Sequence, residues 1–319
     1  MVTALQNRMA DYIAAFMQDG VLILPGFFSD AELGAVQTAI DTVKRARPLD
    51  VVIDDLENGD RTVLGLMTPE AVQTHRMKVN DLYLGTAEIR SQALAPRLVP
   101  ILWGLLGHVP VLCNSLYLEK GSAQEAHVDA LYMTPRTPGH LIAAWVALED
   151  AHEEAGPLEY FPGSHRIAPY VFSGGSHHAQ DEEMTDWRAY MAEALAHAGL
   201  EKRKFLARKG DVLIWHAHLL HAGGVIQDGA RTRKSCVFHY YSETDARASS
   251  FPLVPQAGGF WLDRPLQPLP PQVAVRLPVS ERHYLRRYPD VAAAVARGLY
   301  PSGAAHYAAY GCKEGRLPV

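Results

Sequence analysis

VPVLCNSLYLEKGSAQEAHVDA, residues 109–130, decides the reading of this chain. An apolar run over 109–118 and a second run over 124–131 are parted by a Glu-Lys-Gly turn, the pattern of short strands rather than helices. Toward the C-terminus the pattern repeats at 140–148, 157–161, 204–208, 211–216, 221–226 and 233–242, between Gly, Pro and charged turns. Many short strands in series predict a sandwich or barrel. Toward the N-terminus the period changes. Leu5, Met9, Tyr12, Ile13, Phe16 and Met17 recur at helical spacing before Gly20, and VLILP at 21–25 reads as a strand. Ser29 and Glu32 form a capping box for a second helix with Leu33, Val36, Ile40 and Val43 on its apolar face. A third helix is expected over 87–106. The fold class is therefore mainly β with flanking helices.

The 319 residues are 48% hydrophobic, enough to fill a sizeable core and incompatible with wholesale disorder. Lys and Arg number 30 against 35 Asp and Glu, with no dense run of either sign, so nothing indicates a nucleic-acid or anionic-membrane partner. Cys113, Cys236 and Cys312 are odd in number and far apart, which disfavours a disulfide scaffold or thiolate zinc site and fits a reducing cytoplasm. Polar residues interrupt MVTALQNRMADYIAAF throughout, so this stretch lacks the apolar core of a signal peptide or membrane span.

Fifteen histidines stand out. His127-Val128-Asp129 falls in an expected strand, where residues i and i+2 share a face and an imidazole stands beside a carboxylate. That is two-thirds of a 2-His-1-carboxylate triad, which leaves three adjacent positions open on Fe(II), enough for a bidentate keto acid and dioxygen. His152-Glu153-Glu154 repeats the spacing, so the tripeptide alone selects nothing. The distal ligand must come from another strand, and WHAHLLHAGG at 215–224 offers His216, His218 and His221. His221 precedes Ala222, Gly223 and Gly224, small residues that let a ligand come close to the metal. Further on, Arg231 and Arg233 adjoin the next strand, where a guanidinium can grip a carboxylate through two parallel hydrogen bonds. Arg231 follows Gln227-Asp228-Gly229 and reads as a solvent-facing turn residue.

Taken together, DGVLILPGFF at 19–28, MKVND at 77–81, LYLEKG at 116–121, HVDALYMTP at 127–135, AWVALED at 144–150, GPLEYFPGSHR at 156–166, GDVLIWHAHLLHAGG at 210–224 and RKSCVFHYY at 233–241 resemble the phytanoyl-CoA dioxygenase family of Fe(II)/2-oxoglutarate oxygenases. The resemblance implies a double-stranded β-helix core, a cupin-like jelly-roll with helices packed outside. It places the iron ligands on His127, Asp129 and His221, and the arginine that binds the distal carboxylate of 2-oxoglutarate on Arg233. Lys78, Leu116 and Trp145 match further positions that line the cosubstrate pocket. Fe(II), 2-oxoglutarate and dioxygen are the implied cofactor and cosubstrates, and hydroxylation of a small organic substrate with release of succinate and carbon dioxide is the implied reaction. One departure is Gly223, where many relatives have a serine whose hydroxyl helps hold the cosubstrate. Asp129 is retained where the superfamily's halogenases have a small residue, which argues against halogenation.

The expected organisation is an oxygenase domain over 1–250, a proline-rich linker over 251–279 and a small helical module over 280–319. The polar interruption at 164–203 reads as a lid or as an edge-covering helix. The tail at 283–316 resembles a short helical module of bacterial proteins, some linked to glycan metabolism. A glycan-related molecule or a secondary metabolite is the substrate class this suggests, and no pattern sets an oligomeric state. Two readings compete with the oxygenase: a non-catalytic jelly-roll that binds ligands, and a cupin-type metal-dependent isomerase.

Overall fold

The computed structural model describes residues 2–319, with side chains from residue 8 onward, so Leu5 lies outside the described side chains. The first helix, Val2–Asp19, ends at Gly20, whose φ of +72° turns the chain into strand β1, Val21–Leu24. The helix Asp30–Ala46 carries the capping box: the Ser29 hydroxyl accepts from the Glu32 amide while the Glu32 carboxylate accepts from the Ser29 amide. Leu33, Val36 and Ile40 bury its apolar face. The helix expected over 87–106 is two, Ala87–Ala93 and Val99–Leu106. Pro96 accounts for the break, because it lacks an amide hydrogen and disfavours a helical residue before it.

The remaining strands follow in chain order: β2 (Val52–Asp55), β3 (Asp60–Val63), β4 (Met77–Asn80), β5 (Pro110–Leu118), β6 (Leu141–Ala147), β7 (Leu158–Tyr160), β8 (Arg203–Phe205), β9 (Val212–His216), β10 (His221–Gly223), β11 (Ser235–Ser242), β12 (Leu253–Gln256) and β13 (Gly259–Leu262). Among the described residues they form two sheets. The larger runs β1-β9-β6-β11-β5-β4-β2-β3, with the β12–β13 hairpin joined to it through β5. The smaller runs β10-β7-β8. Leu118, Trp145, Leu213, Trp215 and Val237 of the large sheet pack against Leu158, Tyr160 and Phe205 of the small one, so the two sheets enclose a shared interior. This is a jelly-roll with helices outside it. The other face of the large sheet buries Ile142, Ala144, Val146, Ile214 and Phe238 under the N-terminal helices.

Two sequence expectations change, and the insertion at 164–203 takes the helical form of the two expected. The strand read over 124–131 is reduced to one bridge, His127 with His221, after which Asp129–Leu131 forms a 3-10 turn. The turn bends the chain into the interior and, rather than a strand face, brings the carboxylate beside the histidine. The insertion at 164–203 folds into the helix Met184–Ala198, whose Trp187 and Met191 pack on Val128, Ala130 and Leu131 and so brace that turn from behind. Residues 251–279, expected as a linker, carry the β12–β13 hairpin and bury Leu266, Leu269, Ala274 and Leu277 in the main core. Proline tolerates such an edge hairpin where its missing amide faces no partner.

Residues 280–319 are helical, with Tyr284 at the centre of an aromatic cluster that includes Tyr288, His306 and Tyr307. This unit is fastened to the barrel. Arg282 donates to the Leu84 carbonyl and to Asp263, and Val319 is buried in the main core.

Candidate active site

The bridge between His127 and His221 and the turn at Asp129 bring three ligand atoms within 4.8 Å of one another, all from buried residues. Asp129 Oδ1 lies 3.8 Å from His127 Nε2 and 3.6 Å from His221 Nε2. The backbone sets the tautomer of both imidazoles. His127 Nδ1 sits 2.8 Å from the Glu125 carbonyl and His221 Nδ1 3.0 Å from the Leu219 carbonyl. A carbonyl only accepts, so Nδ1 carries the hydrogen in each ring and the Nε2 lone pairs face one another across the site. The other Asp129 oxygen is occupied: Oδ2 accepts from the Trp215 indole over 2.7 Å and lies 3.4 Å from His239 Nε2.

Electrostatics favour a cation here. Burial, then the facing His221, pushes the His127 pKa down to about 3, so that imidazole is neutral at physiological pH. For Asp129, burial alone would raise the pKa; His221 and His239 outweigh it and hold the carboxyl below its usual range. The result is one buried carboxylate oxygen and two imidazole Nε2 atoms converging on one point. Borderline ligands of this type suit a divalent first-row metal such as Fe(II). Gln124 links this group to its surroundings, its Nε2 lying 3.2 Å from His127 Nε2 while its Oε1 accepts from Lys78 Nζ over 2.6 Å.

Two cavities meet at the triad. The deep one lies between the sheets and is lined by Lys78, Leu116, Trp145, His221, Gly223 and Arg233, among others. The structure therefore brings every sequence-selected site residue to one place. Arg233 is only 3% exposed. Its Nη1 donates to the Gly156 carbonyl over 2.8 Å and its guanidinium lies 5.7 Å from the Trp145 ring, but its Nε has no hydrogen-bond partner and no carboxylate pairs with it among the described residues. Burial alone lowers its pKa to about 10, so it stays charged. A buried cation with an unused donor fits the distal carboxylate of a keto acid. Lys78 shares the cavity; burial lowers its pKa, partly offset by Asp54 and Asp129.

Gly223 has a physical reason. A Cβ built there would lie 2.4 Å from Ser122 Oγ, 2.8 Å from the Ala123 amide nitrogen and 2.9 Å from that of Gln124. The space a serine would take is filled by the Ser122 loop, whose hydroxyl lines the same cavity. The decoys fall elsewhere. Arg231 is exposed and paired with Glu154 and Asp228, His152 pairs with Glu154 at the surface, and His216 stacks near His165, His218 and Phe16.

Sequence reasoning missed His239, Trp215 and Gln124. A signal existed for the first: Val237 and His239 share one face of β11 and, with Arg233 just before that strand, line the deep cavity. Nothing in the sequence marks the Trp215 indole as a partner of Asp129.

The second, outer cavity has a volume of about 1010 Å³ and shares Lys78, Leu116, Gln124, His127, Asp129 and His239 with the deep one. Part of its lining comes from the C-terminal part of the chain: Arg264, Leu266, Arg286, Arg287 and Pro289. None of residues 164–203 lines either cavity.

The family model described as phytanoyl-CoA dioxygenase matches residues 16–234. The chain belongs to the phytanoyl-CoA dioxygenase family. Its similarity to phytanoyl-CoA dioxygenase domain-containing protein 1 is 25% identity over 192 residues for the Mus musculus protein and 30% over 190 residues for that of Bos taurus. Each match covers 47% of this chain and 63% of the relative, so the chain spans less than two thirds of the relatives' length. Among solved structures it is similar to the non-heme alpha-ketoglutarate-dependent epimerase SnoN from nogalamycin biosynthesis, with a TM-score of 0.57, 20% identity, and coverage of 81% of this chain and 99% of that one. For the carbocyclase SnoK of the same biosynthesis the TM-score is 0.56, with 19% identity and coverage of 79% and 95%. EctD from S. alaskensis, crystallised with bound Fe, gives 0.54, 18% identity and coverage of 74% and 77%. These likenesses show the fold of this family, a double-stranded β-helix core. Arg286 and Arg287 lie beyond the family match.

Proposed function

We propose that this family member is an Fe(II)- and 2-oxoglutarate-dependent oxygenase that hydroxylates a C–H bond of a small organic substrate, releasing succinate and carbon dioxide. The observation that carries the reading is the junction of two cavities at a buried His-Asp-His triad, with the uncompensated charge of Arg233 in the deep cavity alone. His127 Nε2, Asp129 Oδ1 and His221 Nε2 would hold the metal, and Arg233 the far carboxylate of the keto acid. When bound, Fe(II) and 2-oxoglutarate together supply the oxidising power of dioxygen, which the side chains cannot.

The protein's own part is orientation and exclusion of water. Trp215 fixes one Asp129 oxygen so that the other faces the metal position, and the two backbone carbonyls keep both imidazoles in the ligating tautomer. Leu116, Trp145, Leu158 and Val237 line the deep cavity with apolar surface, which keeps the carboxylate–guanidinium pair dry and strong. The organic substrate would occupy the outer cavity, on the side of His127 and Asp129 away from Arg233. The similar structures include a non-heme alpha ketoglutarate dependent epimerase and carbocyclase, so the product decides the outcome here.

The test is succinate release from the Fe(II)-loaded chain, followed by a mass-spectrometric screen for compounds that gain one oxygen atom only with 2-oxoglutarate and dioxygen present. A ligand-binding jelly-roll or a cupin-type isomerase would form no succinate. A substrate consumed without gain of oxygen would replace hydroxylation by epimerisation or ring closure.

A further inference from the structure

The outer cavity is unevenly charged. Arg61, Lys78, Arg264, Arg286 and Arg287 line it, against Asp54 and Asp129. Most of these cations have a local partner: Arg61 forms two hydrogen bonds to Asp54, Arg264 pairs with Asp81 at 2.7 Å, and Lys78 donates to Gln124. The last two arginines of the helix Glu281–Arg287 are different. Arg286 pairs with Asp263 through its Nη2, yet its Nε is buried with no hydrogen-bond partner. Arg287 pairs with no carboxylate among the described residues, and its one hydrogen bond is a long one of 3.5 Å to the Leu266 carbonyl. An unsatisfied buried donor beside an uncompensated guanidinium is costly unless an acceptor completes it. A planar guanidinium meets a carboxylate, phosphate or sulfate with two parallel hydrogen bonds.

We propose that the organic substrate carries an anionic group and that Arg287, with Arg286 beside it, binds that group where the C-terminal helical unit lines the outer cavity. The inference rests on the oxygenase reading for the word substrate, but the anion site stands on its own geometry. Leu262, Leu266, Phe251 and Met133 line the outer cavity together with these groups, so an apolar body between the anionic end and the oxidised carbon suits the space. The C-terminal helical unit thereby becomes part of the substrate site: it supplies an anion receptor that lies outside the family match at 16–234.

The test is equilibrium dialysis of radiolabelled phosphate, sulfate and acetate against the full chain loaded with Fe(II) and 2-oxoglutarate, which needs no turnover. The expected result is saturable binding of at least one of the three at one site per chain. Arg287→Ala should weaken it at least about tenfold, as for loss of one charge-assisted pair, and Arg287→Lys should restore most of it. Circular dichroism on each variant confirms folding, with Arg287→Glu as a second substitution if Arg287→Ala does not fold. Anion binding should survive His221→Ala. Binding that is lost in His221→Ala and kept in Arg287→Ala places the anion on the metal and overturns the proposal, as does equal binding by the wild type and Arg287→Glu. Arg287-dependent binding in a chain that forms no succinate would keep the anion site and refute the oxygenase reading.

Discussion

Trp215 donates its indole N–H to Asp129 Oδ2 over 2.7 Å, which leaves Oδ1 as the oxygen that faces both His127 and His221. One hydrogen bond across the interior thus chooses which carboxylate oxygen is presented to the metal. Trp215→Phe keeps an aromatic ring in place and removes the indole donor, so metal affinity should fall about tenfold or more, the usual effect of losing such a supporting bond. Equilibrium metal titration checks this, and unchanged affinity would mean that the turn at Asp129–Leu131 alone aims the carboxylate.

The triad itself should be indispensable. His127→Ala, Asp129→Ala and His221→Ala are each expected to abolish succinate formation, since an ion with two protein ligands is weakly held and misoriented. His218→Ala should leave succinate formation intact, because His218 lies outside both cavities. Activity that follows His218 instead of His221 would sink the ligand assignment.

Arg233 and Arg231 form a built-in comparison. Removing one partner of a buried, bidentate charge pair costs about 2–5 kcal/mol, so Arg233→Ala should raise the apparent KM for 2-oxoglutarate at least about 30-fold. Arg231 is exposed and already paired with Glu154 and Asp228, so Arg231→Ala should change it less than about threefold. Titrations of 2-oxoglutarate in the two variants decide, and the reverse ranking would move the cosubstrate anchor.

Restoring the relatives' serine should harm this chain. In Gly223→Ser the new Cβ would meet Ser122 Oγ at 2.4 Å and two backbone nitrogens below 3.0 Å, so the 122–124 loop must shift and carry Gln124 away from Lys78 and His127. We expect weaker binding of both metal and 2-oxoglutarate, measured by titration. Tighter 2-oxoglutarate binding would show that the Ser122 loop yields without cost.

Three imidazoles, His127 and His283 buried and His216 half-buried, make the metal-free protein acid-sensitive. Burial, reinforced by neighbouring positive groups, lowers the pKa to about 3 for His127 and His216 and to about 4 for His283. Each lies below the unfolded value of about 6.5, so the unfolded chain takes up protons first. The stability held near pH 7 is therefore lost as pH falls below about 6.5, by about 1–2 kcal/mol per group at pH 5. Tm of the metal-free chain should fall steadily from pH 7 to pH 5. A flat or rising Tm over that interval would show that these rings gain protons without leaving their sites.

Deleting residues 280–319 should destabilise the barrel rather than trim an accessory. The deletion removes Val319 from the main core and the Arg282 contacts to Leu84 and Asp263. A lower Tm or insoluble protein is the expected outcome, and a truncated chain with unchanged Tm would show the unit to be separable.

The sequence by itself marked most strands of the barrel, the two N-terminal helices with the capping box of the second, and the residues proposed here as metal ligands and cosubstrate anchor. The elements depend on period-two or period-3.6 patterns that neighbours in sequence are enough to read, and the site residues on the order of motifs that resembles the family. Tertiary structure alone decided the rest. The carboxylate of Asp129 reaches the histidines from a 3-10 turn because His127 bridges His221, a partner 94 residues away by their numbers. Trp215, His239 and Gln124 became site residues only when separate elements converged on one interior. The prolines at 252–278 read as a linker because proline's local preferences say nothing of distant partners, yet β13 joins the sheet at β5 and Leu266 and Leu269 find the core. Arg286 and Arg287 reach the outer cavity from the C-terminal unit for the same reason: burial and charge pairing are properties of what meets in space, and a sequence read residue by residue carries only what meets along the chain.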